Sequence, residues 1–179
     1  MPVLQVSLQD PMENVRRNSA FCIGMLCQAT EKQLAPHFPQ ILNCLAPLCQ
    51  RTADQQHGGD SGGADIDNTL SAVARMIRSA REAVPLSQVL PVLLDALPLR
   101  ADHEEGENIY DCLIELLKVK DESTMALFPR VVGALGTTIV EGSKSNDATK
   151  AMCITAIHGL ATSPDHKDML SAAVGAGTS

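Results

Sequence analysis

Aromatic residues are nearly missing from this 179-residue chain, which holds three Phe, one Tyr and no Trp. The base-stacking platforms of single-strand nucleic-acid binders are therefore absent. The strand-forming residues that an all-β domain draws on are also sparse. Basic residues are in deficit: 14 Lys+Arg stand against 21 Asp+Glu, for a formal charge of -7. Binding phosphates needs the opposite balance, so no direct nucleic-acid partner is expected. Long apolar runs are lacking too. The longest charge-free stretch, Gln33 to Gln50, contains Pro36, Pro39, Pro47, His37, Gln40 and Asn43, a poor membrane span. Met1-Pro2-Val3 opens on no basic, apolar and small-residue leader. The expectation is a soluble, intracellular protein with no membrane partner.

Chemistry-bearing motifs are equally scarce. The Gly58 to Gly63 stretch lacks the Lys-Ser/Thr of a phosphate loop, and neither Gly-x-Ser-x-Gly nor His-Glu-x-x-His occurs. Six cysteines are present without one Cys-x-x-Cys pair. Cys22 and Cys27 are five residues apart, as are Cys44 and Cys49. On a helix that step turns the side chains roughly 140° apart, which suits neither a disulfide nor a shared metal. No catalytic residue, metal ligand or cofactor is expected, and the cysteines read as reduced, small apolar packing residues.

What the chain does have is internal repetition. Phe38-Pro39-Gln40-Ile41-Leu42-Asn43-Cys44-Leu45 matches Leu90-Pro91-Val92-Leu93-Leu94-Asp95-Ala96-Leu97 and Phe128-Pro129-Arg130-Val131-Val132-Gly133-Ala134-Leu135. The proline suits a first helical turn, where its missing N–H costs nothing. A second segment recurs at Asn18, Asn68, Asn108 and Thr149. Four residues into each copy lies a small side chain, Cys22, Ala72, Cys112 or Cys153, followed by Ile23, Val73, Leu113 or Ile154. The small residue is read as the point where two helices approach closely.

Two helices per forty or so residues is the period of an all-α HEAT or armadillo-like solenoid. Four units are expected: a truncated first repeat over 1–30, a second over 34–80 with a flexible Gly-rich insert at 52–64, a third over 85–119 and a fourth over 121–162. The remaining 163–179 reads as a cap or a frayed tail. The first and second helices of each unit are called A and B below. Solenoid ends need polar caps. A short first A helix leaves the apolar side of the first B helix partly uncovered, and a weakly stable or self-associating chain is expected.

Asp10-Pro11-Met12-Glu13-Asn14-Val15-Arg16-Arg17 resembles the turn of a HEAT repeat, in which Asp-Pro ends helix A and Val-Arg begins helix B. Asp10, Pro11, Val15 and Arg16 are the structural residues of that turn, with Asp10 placed to cap helix B and the Asp–Arg pair formed within one repeat or between neighbours. The wording Val-Arg-Arg-Asn-Ser-Ala-Phe-Cys-Ile-Gly-Met-Leu, then Leu-Ala-Pro-His-Phe-Pro-Gln-Ile-Leu and Leu-Pro-Val-Leu-Leu-Asp-Ala-Leu-Pro-Leu-Arg-Ala-Asp-His-Glu-Glu, is more particular. It is similar to the C-terminal HEAT repeats of the importin-β superfamily of nuclear transport receptors, the karyopherins. The resemblance implies a non-enzymatic carrier moving between cytoplasm and nucleus and binding basic protein cargo, such as core histones or ribosomal proteins. Ran-GTP binds such receptors near the N-terminus, through repeats that have no counterpart here.

The candidate cargo residues lie in the third unit. Asp102, Glu104, Glu105, Glu107, Asp111 and Glu115 form a run of six acids without Lys or Arg. Glu107, Asp111 and Glu115 recur every four residues and so make one stripe, separate from Tyr110, Leu113 and Leu117. One reading is a docking face for Lys/Arg-rich segments. The other is a solvated face with acids gathered at a helix N-terminus. Arg75, Arg78 and Arg81 on the second B helix read as partners for acids of the adjacent repeat. Phe21 and Met25 occupy the places of Asp111 and Glu115, and read as an apolar pocket on the concave face, as core packing or as the contact for an upstream repeat. The rival to a transport role is a constitutive HEAT scaffold in a multiprotein complex.

Overall fold

The computed structural model describes residues 2–49, 62–140 and 143–176. Among these residues there is no strand, and the class is all-α. In chain order the helices are α1 (Pro2–Ser7), α2 (Glu13–Thr30), α3 (Phe38–Cys49), α4 (Ala64–Ala80), α5 (Leu86–Asp95), α6 (Gly106–Lys118), α7 (Glu122–Ala126), α8 (Phe128–Ile139), α9 (Asp147–Thr162) and α10 (Lys167–Ala176). The B helices α2, α4, α6 and α9 pack side by side in that order. Helix α1 lies on α2, α3 on α4 and α8 on α9, while α5 leans on α7 and α8.

The repeated Pro motif builds the buried face of the A helices. Phe38, Leu90 and Phe128 are fully buried, as are Ile41, Leu93 and Val131 three residues on. Leu45 and Leu135, seven residues on, complete one helical face. Leu97 drops out of the series because α5 stops at Asp95; Leu97 precedes Pro98, a position that disfavours helix. Few rings are needed in such a core, and the one tyrosine, Tyr110, is among its largest buried side chains.

Helix boundaries follow the prolines. The second A helix begins at Phe38, after a tighter 3-10 stretch, Glu31–His37, so that Pro39 falls in its first turn. The fourth A helix is two helices, α7 and α8. Pro129 has no N–H to return to the residue four back and its ring crowds that carbonyl, so the helix restarts. The Gly-rich insert lies outside the described residues except for its end, where Gly62 and Gly63 adopt φ of 62° and 107°. Only glycine takes such values without strain. The last stretch contains a helix, α10, that packs on α8 and α9.

The contact of α2 with α4 is the most extensive between helices. It depends on Gly24, where an added Cβ would sit 3.0 Å from the Ala72 Cα and 3.2 Å from the Arg75 Cδ. Backbone cannot yield as a flexible side-chain tip does. Gly24→Val is expected to cost about 2–4 kcal/mol through overpacking, read as a lowered midpoint in urea unfolding; an unchanged midpoint would place the joint elsewhere.

Three of the four small residues at the repeated B-helix position are buried: Ala72, Cys112 and Cys153. Cys22 is the exception and stands exposed. Among the described residues no helix makes, on that side of α2, the close approach that buries its equivalents. Ile154 departs in the same way, at 53% exposure on the last B helix, whereas Ile23, Val73 and Leu113 are buried. Burial pushes the Cys27 thiol up to about 11 and the Cys112 thiol to about 12. It raises Cys153 too and lifts the Tyr110 phenol to about 12. These groups are held neutral in the fold and ionise more readily once unfolded. Their contribution to stability is therefore complete below about pH 9 and lost as pH climbs toward 11–12. Alkylation at pH 8 should spare Cys27, Cys112 and Cys153 until denaturant is added, and thermal stability should fall steadily above pH 9. Equal labelling of all six thiols in the native protein would contradict this.

Candidate functional site

The polar side chains of the B helices are used chiefly to join one repeat to the next. At the first joint, Glu13 Oε1 accepts from the Gly63 and Ala64 backbone N–H groups, both at 3.0 Å. It thereby caps the N-terminus of α4, where a negative charge is favoured. Arg16 Nε donates to Asp65 Oδ2 at 2.6 Å, with both side chains buried. The same guanidinium donates from Nη1 to the carbonyls of Asp10 and Pro11, at 2.8 and 2.9 Å. Arg16 thus ties its own A–B turn to the following repeat. The expected Asp10–Arg16 contact runs through the Asp10 carbonyl; the Asp10 carboxylate instead accepts from Met12 N. Pro11 supplies a carbonyl, and Val15 is half-buried beside the turn.

The second joint repeats the device. Asp67, wholly buried, accepts from the backbone N–H groups of Arg100, Ala101 and Asp102, the closest at 2.7 Å. Asn68 Nδ2 donates to Asp102 Oδ2 at 2.8 Å and to the Ala64 carbonyl at 2.9 Å. Arg75 Nη1 reaches Glu105 Oε2 at 3.0 Å and Ser71 Oγ at 2.7 Å, and its guanidinium lies 5.7 Å from the centre of the Phe21 ring. Further along α4, Arg78 bridges Asp111 and Glu115, each at 3.0 Å. Arg75 and Arg78 therefore engage acids of the adjacent repeat; Arg81 is exposed at the end of the helix.

This network divides the six candidate acids. Asp102 is held by Asn68, and Glu105 is buried with Arg75. Asp111 and Glu115 share one arginine, their side chains 32% and 47% exposed. Glu104 and Glu107 are exposed, and among the described residues no salt bridge reaches them. Phe21 and Met25 are not core but surface residues near 40% exposure, Phe21 serving as a platform for Arg75.

The third joint, between α6 and α9, has no such stitching; among the described residues no salt bridge spans it. Here the surface opens into a largely apolar groove of about 540 Å³ whose walls include Ile114, Leu117, Met152 and Ala156, with Asp111 and Lys118 at its border. A second groove, of about 390 Å³, separates α3 from α5 and is lined by Pro39, Leu42, Ala46, Val89 and Val92. Neither groove was expected from periodicity. The signal for the first was available in α9, where Ala151, Ala156 and Gly159 put little bulk on the side facing α6; a Cβ at Gly159 would meet nothing within 4 Å. His166, also unforeseen, closes that groove with its ring stacked on Phe128 at 6.1 Å and its Nδ1 3.0 Å from Ser163 Oγ. Among the described residues no cluster of His, Cys, Asp and Glu could hold a metal ion, and no helix is long and apolar enough to cross a membrane.

No family model matches the chain. Individual proteins do. The chain is 30% identical over 175 residues to Importin-4 of Homo sapiens, a match that takes in 98% of this chain. It is 22% identical over 170 residues, 94% of its length, to the Probable importin subunit beta-4 of Schizosaccharomyces pombe. To Importin-4 of Mus musculus it is 34% identical over 104 residues, or 58% of the chain. It spans about 15% of the length of the human and fission-yeast proteins. With nearly its whole sequence matched in this way, and an all-helical repeat stack underneath, the chain is a relative of importin-4 within the importin-β family.

Proposed function

We propose that this chain is a segment of a nuclear transport receptor and that it binds basic protein cargo on the exposed B-helix surface around the start of α6. The kinship with importin-4 supports the transport role. The observation that carries the site is the pair Glu104 and Glu107, acids exposed to solvent beside a repeat joint that consumes the charge of Asp102 and Glu105. Asp111 and Glu115 extend the surface, their two charges only half offset by Arg78. Such a surface attracts Lys/Arg-rich segments over a distance set by salt and holds them through exposed ion pairs. Core histones and ribosomal proteins are cargoes of that chemistry. On this reading the segment works by binding, without catalysis, and travels between cytoplasm and nucleus as part of the receptor.

A fluorescein-labelled Lys/Arg-rich peptide of about fifteen residues tests this by anisotropy. Affinity should fall roughly tenfold or more as salt rises from about 50 to 300 mM. An acidic peptide of equal length should not bind. A HEAT scaffold subunit would instead show no affinity for the basic peptide and would hold a folded partner in a salt-tolerant, apolar manner; that pattern would sink the cargo proposal.

A further inference from the structure

Two successive joints of the stack fill the same places with different chemistry. Between α4 and α6, Arg78 bridges Asp111 and Glu115. Counted from the recurring Asn68, Asn108 and Thr149, the residues in those places between α6 and α9 are Lys118, Met152 and Ala156. The cation is kept, but both of its acids have become apolar. No ion pair closes the gap among the described residues, and the groove of about 540 Å³ is what remains. It is of a size to accept a Leu- or Met-sized side chain together with its backbone. Gly159 adds no bulk, since a Cβ there would meet nothing within 4 Å. His166, 9% exposed, stands in the wall, and its buried Nε2 has no hydrogen-bond partner among the described residues. An entering backbone group can relieve that deficit. A further helix pair beyond α9 would stack on the flank of Ile154 and His158, about 200° round the helix from Met152 and Ala156. The groove lies between two repeats of this chain, and its openness is not a property of the stack's end.

We infer that this groove takes one apolar side chain of the same basic segment that the acids around α6 attract, so that cargo is read by a Lys/Arg cluster and an apolar anchor together. Charge complementarity selects that occupant. Asp111 belongs to the groove's border and to the acid stripe at once. Glu107, one turn earlier, is exposed and has no salt bridge among the described residues. Lys118 stands at the other end of the groove. The segment's cations therefore belong on the Glu107 side, and none belongs beyond the anchor. The spacing follows from the helix. Glu107 and Ile114 are seven residues apart on α6, or about 10 Å along its axis. An extended segment covers that distance in about three residues. The anchor thus lies about three residues from the Lys or Arg that meets Glu107.

Because the anchor rests on the basic-cargo role proposed for this surface, its test is built so that the two can fail separately. Two labelled peptides of about fifteen residues are compared by anisotropy with the 179-residue chain. One carries a lysine cluster followed, three residues on, by Leu; the other has Ser in place of that Leu. The Leu peptide should bind roughly tenfold tighter and lose less of its affinity as salt rises. Gly159→Leu fills the groove at a position with open space, so helicity should persist by circular dichroism. It should erase the advantage of Leu and leave the affinity for the Ser peptide within about twofold. Thr155→Leu, at an exposed position of the same wall, should act alike and covers the case in which the first variant misfolds. A Leu peptide that binds no tighter than the Ser peptide overturns the anchor. So does an advantage that survives both filled grooves. In either case salt-sensitive binding of both peptides would leave the cargo role standing. Absence of binding by either peptide at low salt would overturn that role and the anchor with it.

Discussion

Replacing Asp67 by Ala is expected to destabilise the protein by about 3–5 kcal/mol, enough to unfold a marginal domain at room temperature. The size follows from what the carboxylate does. It is fully buried and accepts from three consecutive backbone N–H groups, those of Arg100, Ala101 and Asp102. Alanine satisfies none of them, and each buried donor left without a partner costs about 1–3 kcal/mol. Some of that is recovered because the segment is partly open to water. Asp67→Asn keeps one carbonyl oxygen and should retain a fraction of the stability. The readout is urea unfolding followed by far-ultraviolet circular dichroism. A loss below about 1 kcal/mol for the alanine variant would mean that the segment before α6 is held by its apolar contacts instead.

Arg75→Ala is the second large effect, at about 3–4 kcal/mol. The guanidinium and the Glu105 carboxylate are 8% and 10% exposed, so removing the cation leaves a buried anion short of its partner. The variant also deprives Phe21 of its cation–π contact, a smaller loss of about 0.5–1 kcal/mol at a half-open site. Joint replacement of Arg75 by Met and Glu105 by Leu should recover much of the stability, because a buried ion pair is often worth little against apolar residues of like size. Arg78→Ala is the contrast. Its pairs with Asp111 and Glu115 are well exposed and should contribute no more than about 1 kcal/mol. Comparable losses at Arg75 and Arg78 would show that burial does not set the value of these pairs.

Residue spacing made the architecture legible because a repeat writes the same packing problem several times. Phe38, Leu90 and Phe128 share a fate, core burial, that one copy alone would leave ambiguous. Arg75 and Arg78 were also readable as partners of acids one repeat away. What spacing could not show was which acids they choose. Glu104 and Glu105 are adjacent and chemically the same, yet one is exposed and the other buried. Adjacent side chains on the helical turn His103–Glu105 point to different faces, and Glu105 is the one turned toward Arg75 of the preceding repeat. Arg16 posed the same difficulty. The HEAT-like turn left open an Asp–Arg pair within one repeat or between neighbours, and the carboxylate that Arg16 meets is Asp65, 49 residues along the chain. Cys22 was read as packed because its position repeats at Ala72, Cys112 and Cys153; whether a helix lies against it depends on the neighbouring repeat, on which the pattern within one unit is silent.

The acids around α6 divide into those that bind the neighbouring repeat and those that face outward. The affinity of the Lys/Arg-rich peptide for two variants at low salt, each checked for native helicity, tests that division. Glu104→Lys with Glu107→Lys should weaken binding at least roughly tenfold while thermal stability stays put, since both side chains are exposed. Glu105→Gln should lower stability and leave the affinity of the folded fraction within about twofold. If instead the Glu105 variant loses the peptide while the double charge reversal binds it as well as the parent, the division is wrong and the outward acids are only a solvated helix start.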